Sequence, residues 1–108
     1  MTKLVVLFNL KAEADRAAYE TWAKTTDLPT VRKLASVDDF IVQRVTGLYG
    51  TDAAAPYQYV EIIDVNSMEQ FGKDVSTELM AKVAGEFQTF ADNPVFMLTE
   101  NMETGGQS

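Results

Sequence analysis

Leu4-Val5-Val6-Leu7-Phe8-Asn9-Leu10 is a short run in which only Asn9 is polar. Its length and its valines read as a β-strand, and its lack of alternation reads as a strand covered on both faces. Three later segments share that character: Phe40-Ile41-Val42-Gln43-Arg44-Val45-Thr46, closed by Gly47; Tyr57 to Val65; and Val95-Phe96-Met97-Leu98-Thr99. The stretches between them carry helical signals. From Ala12 to Thr26, Arg16, Glu20 and Lys24 recur at i, i+4 as a charged face, while Ala18, Tyr19, Trp22 and Ala23 fill another. Asp15 stands where an N-cap belongs. Asp27-Leu28-Pro29 breaks the pattern, and because Pro fits a first helical turn, Leu28 to Leu34 reads as a second short helix capped by Asp27.

Ser67-Met68-Glu69-Gln70 has the form of a capping box. The pattern behind it pauses at Gly72 and resumes from Asp74 to Ala91, with Leu79, Val83, Phe87 and Phe90 as the apolar stripe. Asp92-Asn93-Pro94 closes it, and Gly50 to Pro56 is a loop. The order β-α-β-β-α-β predicts an α+β, ferredoxin-like fold: an antiparallel four-stranded sheet with the helices on one face. Residues 1–103 are expected to form this single domain, and residues 104–108, polar and Gly-rich, a flexible C-terminal tail.

Alternation splits each strand into two faces. Leu4, Val6, Phe8 and Leu10, Val60 and Ile62, Phe96 and Leu98 form one set, suited to lie under the helices. Val5, Leu7 and Asn9, Tyr57, Tyr59, Glu61 and Ile63, Val95, Met97 and Thr99 form the other. The second set is too apolar for water, so the sequence predicts a homodimer through the sheet face, a dimeric α/β barrel.

Composition excludes much. The 108 residues contain no Cys and no His, which removes disulfides, thiol nucleophiles, His- or Cys-built metal sites and every Ser-His arrangement. Nine Lys and Arg against sixteen Asp and Glu leave a net charge of −7, unsuited to nucleic acid or to anionic membrane surfaces. No apolar run is long enough for a membrane helix and the start carries no signal-peptide pattern, so the expected location is cytoplasmic. Asp38-Asp39 reads as turn chemistry, and no metal site can be assembled from spacing.

The candidate site residues are polar groups inside apolar strands. Asn9 interrupts the first, Glu61 the third, and either Gln43 or Arg44 points inward from the second. A buried carboxylate needs a partner, and Arg44 on a neighbouring strand is the expected one for Glu61. That pair reads either as an ion pair fixing strand register or as a pocket carboxylate tuned for proton transfer. Tyr19, Trp22, Tyr59 and Phe40 are the candidate substrate-binding aromatics, with core packing as the alternative reading.

Thr26-Asp27-Leu28-Pro29-Thr30-Val31-Arg32, Ser36-Val37-Asp38-Asp39-Phe40, Arg44-Val45-Thr46-Gly47 and Tyr57-Gln58-Tyr59-Val60-Glu61-Ile62-Ile63 together resemble the REDY-like family, over about residues 3 to 100. That resemblance implies a dimeric barrel without cofactors, working in prodigiosin-type, pyrrole- or indole-derived pigment biosynthesis. It carries no catalytic motif onto this chain, so the site residues rest on burial alone. The expected function is a cofactor-independent enzyme that cyclises, condenses or hydrolyses an aromatic or heteroaromatic intermediate. Glu61 or Asn9 would move protons and Arg44 would set the charge. The alternatives are a small cofactor-free monooxygenase and a non-catalytic protein that shelters an intermediate.

Overall fold

The computed structural model describes residues 2–102. The expected tail, residues 104–108, lies outside the described residues. The strands are β1 (Thr2–Leu10), β2 (Val37–Arg44), β3 (Tyr59–Val65) and β4 (Ala91–Glu100). The helices are α1 (Arg16–Trp22), α2 (Leu28–Arg32), α3 (Met68–Asp74) and α4 (Glu78–Phe90), with a π-helical turn, Ala23–Asp27, joining α1 to α2. The sheet order is β2-β3-β1-β4, antiparallel throughout. This is the expected α+β, ferredoxin-like topology.

Several boundaries differ from the sequence reading, each for a local reason. Asp27 caps nothing. It sits in helical conformation, its side chain makes no capping bond, and the chain runs from α1 through the π turn into α2 without a break. Asp15 occupies the extended N-cap position of α1 but also makes no side-chain capping bond. The interruption between α3 and α4 falls after Asp74 rather than at Gly72, because Thr77 starts α4 by accepting from the Met80 N–H at 3.2 Å. Ser67 caps α3 in the same way through the Gln70 N–H, also at 3.2 Å. This start for α4 turns Met80, Val83 and Phe87 inward and leaves Leu79 59% exposed. β4 begins at Ala91 directly after α4, so Asp92-Asn93-Pro94 lies within the strand and not in a turn. The chain bends there through Asn93, at φ 44°, a left-handed conformation that Asn tolerates better than most residues.

Register decides the faces. Phe8 pairs with Tyr59, Val6 with Glu61 and Leu4 with Ile63. On the other side of β3, Arg44 pairs with Tyr59, Val42 with Glu61 and Phe40 with Ile63. Directly paired residues share a face, so Tyr59, Glu61 and Ile63 lie under the helices beside Val6 and Phe8. This corrects the sequence assignment of β3, which was one residue out of phase: Val60 and Ile62 belong to the open face. A strand apolar on both sides carries no internal mark of which parity is buried, and a one-residue slip inverts it entirely. The uncovered face holds Val5, Leu7, Ile41, Val60, Ile62, Val95 and Met97, with a Lys3–Asp64 ion pair at 3.0 Å near one end.

The core between sheet and helices is aromatic at one end. Phe8 stacks on Tyr59 at 5.5 Å and meets Phe87 edge-on at 4.9 Å, while Tyr19 stands edge-on to both Phe8 and Tyr59. The other end is mainly aliphatic, with Val31, Val37, Ile63, Val65 and Met80 around the ring of Phe40. The phase of α4 is directly testable by urea denaturation. Met80→Ala should destabilise by about 2–5 kcal/mol, as deletions from packed cores do, and Leu79→Ala should stay within about 0.5 kcal/mol of wild type, as exposed positions do. The reverse ranking would refute the placement of the helix.

Candidate functional site

Glu61 stands in the middle of β3 with Tyr59 and Ile63 on its own face and Val6 and Val42 across from it. It is 5% exposed, and among the described residues its Oε2 has no hydrogen-bond partner. The expected Glu61–Arg44 pair does not form. Register sets Val42, not Arg44, opposite Glu61, and Arg44 reaches instead to α1. Its Nε donates to Glu20 Oε2 at 2.8 Å and its Nη2 to Glu20 Oε1, while the Tyr59 hydroxyl donates to Glu20 Oε2 at 2.6 Å. Of the two β2 candidates, Arg44 lies on the helix side and Gln43 on the open side. The Arg44 and Tyr59 hydrogen bonds hold the Glu20 carboxyl down at about 2. Burial, together with the bond to Glu20, raises the Tyr59 phenol to about 12.

What Glu61 meets in place of a cation is a second acid. Asp27, at the end of the π turn, is also 5% exposed and lines the same cavity of about 140 Å³ between α4 and β4, walled by Met80, Val83, Phe87 and Phe96. Burial raises the Asp27 carboxyl to about 7. Burial, and then the nearby charge of Asp27, pushes Glu61 well above the usual carboxylate range. The Tyr19 hydroxyl is likewise buried without a partner, and it is raised by burial and then by Glu61 and Asp27. Two acids on one cavity, both perturbed upward, can rest in different protonation states near neutral pH. One is then a donor and the other an acceptor, which is the equipment of general acid–base chemistry.

The other candidate residues fall in different places. Tyr19, Tyr59 and Arg44 line a second, smaller cavity of about 100 Å³ on the far side of Tyr19, with Glu20 and Leu28. Trp22 is half-buried, tilted against Tyr19 and Phe90, and its Nε1 donates to Glu86 at 3.0 Å. Phe40 is buried in the aliphatic core and lines neither cavity. Asn9 is on the opposite side of the sheet from Glu61, where its Nδ2 donates to the Pro56 carbonyl at 3.0 Å and ties down the β2–β3 loop. The structure therefore does not bring Asn9 or Arg44 to the Glu61 carboxyl. Asp27 was the residue the sequence reading missed. Tyr19, Ala23 and Asp27 recur at i, i+4 and i+8, all buried, and that spacing marks one helix face once Asp27 is no longer taken as a cap. Among the described residues no group of three or more Asp or Glu converges as a metal site, and no helix is long and apolar enough to cross a membrane.

Fold and site together define a ferredoxin-like α+β protein with a small cavity on which two buried carboxyls stand. The family model for the REDY-like protein HapK matches residues 2–102, and the chain belongs to that family. The crystal structure of HapK from Hahella chejuensis is similar at 27% identity, over 100% of this chain and 99% of that one, with a TM-score of 0.76. SnoaB, a cofactor-independent oxygenase from Streptomyces nogalater, shares the fold at 12% identity, over 98% of this chain and 97% of its own, with a TM-score of 0.74. A dimeric ferredoxin-like protein of unknown function from Thermobifida fusca does so at 13% identity, over 91% and 88%, with a TM-score of 0.71. No curated protein matches the chain.

The buried acid makes stability depend on pH with a definite sign. Asp27 moves from an ordinary 3.8 to about 7 on folding, so its contribution is complete below 3.8 and is lost as pH rises through 7. Glu20 moves the other way, from 4.5 to about 2, and its contribution is lost as pH falls through that window. Thermal stability should therefore peak near about pH 4–5 and decline toward neutrality. Asp27→Asn should flatten the decline above the peak in calorimetry, and an unchanged slope would count against the buried-acid assignment.

Proposed function

We propose that this protein is a homodimeric, cofactor-independent enzyme of secondary metabolism, acting on an aromatic or heteroaromatic intermediate of prodigiosin-type, pyrrole- or indole-derived pigment biosynthesis. The observation that carries the reading is the juxtaposition of Glu61 and Asp27 on one apolar cavity without a neutralising cation. The ionised member takes a proton from carbon or from an attacking water. The protonated member delivers one to a carbonyl or imine. Such a shuttle is redox-neutral and serves cyclisation, condensation or hydrolysis alike. The apolar walls orient the substrate against the two carboxyls. Membership of the HapK family supports the metabolic setting.

The homodimer follows from the open sheet face, whose apolar side chains would otherwise meet water, and agrees with the dimeric relative of the same fold. In sedimentation, wild-type protein should run as a dimer, and Ile62→Lys, which sets a charge in the middle of that face, should shift it to monomer. A wild-type monomer would remove the proposed interface.

A second reading, oxygenase chemistry, is favoured by the likeness of fold to SnoaB. The two separate on a small probe, 2-acetylpyrrole, whose methyl protons exchange with deuterated water through an enol. Wild-type protein should accelerate this exchange without oxygen uptake, and Glu61→Gln and Asp27→Asn should each reduce it by about tenfold or more, the range of lost general acid–base catalysis. Exchange unaffected by either variant would count against the proton-transfer reading, and probe-dependent oxygen consumption would favour the other.

A further inference from the structure

The cavity between α4 and β4 carries two carboxyls, Glu61 and Asp27, beside the Phe87 and Phe96 rings, and the side-chain N–H donor on its lining is the amide of Gln88, an exposed residue. Among the described residues Glu61 Oε2 is buried without a hydrogen-bond partner, as is the hydroxyl of Tyr19, which lines the smaller cavity. Among the described residues no Lys or Arg lines the cavity. The cations packed near the helix side of the sheet are engaged elsewhere: Arg44 on Glu20, Arg32 on the Phe40 carbonyl at 2.9 Å, Arg16 over the Tyr59 ring at 5.7 Å, and Lys24 at the smaller cavity beside Glu20. The chain contains no His. The remaining titratable neighbours, Tyr19, Tyr59 and Glu20, are neutral or negative and make the surroundings no more positive.

We propose that this cavity binds a small aromatic cation, a single ring bearing a protonated nitrogen, whose N–H groups are received by Glu61 and Asp27. The inference rests on the reading of the cavity as the working site and adds the chemistry of what enters it. Size sets the ring count. A dry cavity of about 150 Å³ accepts one benzene ring, and this one measures about 140 Å³. The walls suit a ring and a cation together. Phe87 and Phe96 stand edge to face at 6.5 Å, and Phe96, 59% exposed, marks the mouth. Aromatic faces attract cations, most strongly where water is excluded. A bound ammonium favours ionisation of the carboxyl that receives it, whereas a neutral ring brings no charge to offset a carboxylate and an anion would be repelled.

The test compares benzylamine, benzyl alcohol and benzoate, three probes with one ring and different charge, by calorimetric titration of the full-length protein near neutral pH. Benzylamine should bind at least about tenfold more tightly than benzyl alcohol, in keeping with charge-assisted hydrogen bonds in a buried site, and benzoate should not bind. Benzylamine binding should release protons, read as heats that differ between phosphate and Tris buffers. The preference should collapse in Glu61→Gln, or in Asp27→Asn should the first variant fail to fold, and persist in Glu13→Gln, which removes the same charge from an exposed loop. Equal or tighter binding of benzyl alcohol, no benzylamine binding, or an equal loss of preference in Glu13→Gln would overturn the inference. Loss of 2-acetylpyrrole exchange with the benzylamine preference intact would instead fault the catalytic reading and leave this one standing.

Discussion

The strand register that sets Glu61 against Val6 and Val42 is the constraint on which the rest of this molecule depends. It places a carboxyl in the middle of the covered face, among side chains that cannot accept its charge. An ionised, unpaired carboxylate there would cost several kcal/mol, so folding favours the protonated acid. With the same register, Arg44 falls opposite Tyr59 and within reach of Glu20, so its guanidinium pairs with a different acid. Two carboxylates on one side of the domain thus have opposite character. The Glu20 carboxyl is held down by its hydrogen bonds, and the Glu61 carboxyl is pushed up by burial.

The second requirement is the path of the chain between β1 and β2. An uninterrupted α-helix followed by a turn at Asp27-Leu28-Pro29 would carry the Asp27 side chain to a terminus, where water or backbone N–H groups would satisfy it. The π-helical turn instead feeds α1 directly into α2 and sets Asp27 on the buried face, in line with Tyr19 and Ala23. Wider turns of this kind are often found at functional sites, where they re-aim a side chain. Here the consequence is electrostatic: the charge of Asp27 adds to burial in raising Glu61, so neither acid titrates independently of the other.

The fold was legible because it depends on coarse features. Four apolar segments of strand length, two helical patterns with Ser67 as a readable cap, and the order in which they come leave few topologies, and the split β-α-β unit was among them. Glu61 was legible for a related reason: a charge between Val60 and Ile62 is anomalous in any register. Asp27 was not. An Asp ahead of Leu-Pro has a local use as a helix cap, and local chemistry offers no sign that the backbone will continue through it. Leu79 was mistaken for core and Met80 passed over because the start of α4 at Thr77 lies only a few residues from the expected one, and a small change in helix phase turns one residue in and its neighbour out.

By itself, the amino-acid sequence determined the class of fold, the surplus of apolar surface on the sheet, the exclusion of thiol and imidazole chemistry, and the presence of an acid where none should be comfortable. Only the tertiary structure decided which face of β3 is covered, that Arg44 serves Glu20, and that Asp27 is the companion of Glu61. The division has a physical cause. Composition and periodicity are properties of short windows, whereas strand parity, ion-pair choice and the desolvation of a carboxyl depend on atoms tens of residues away that only the packed sheet and helices bring into contact.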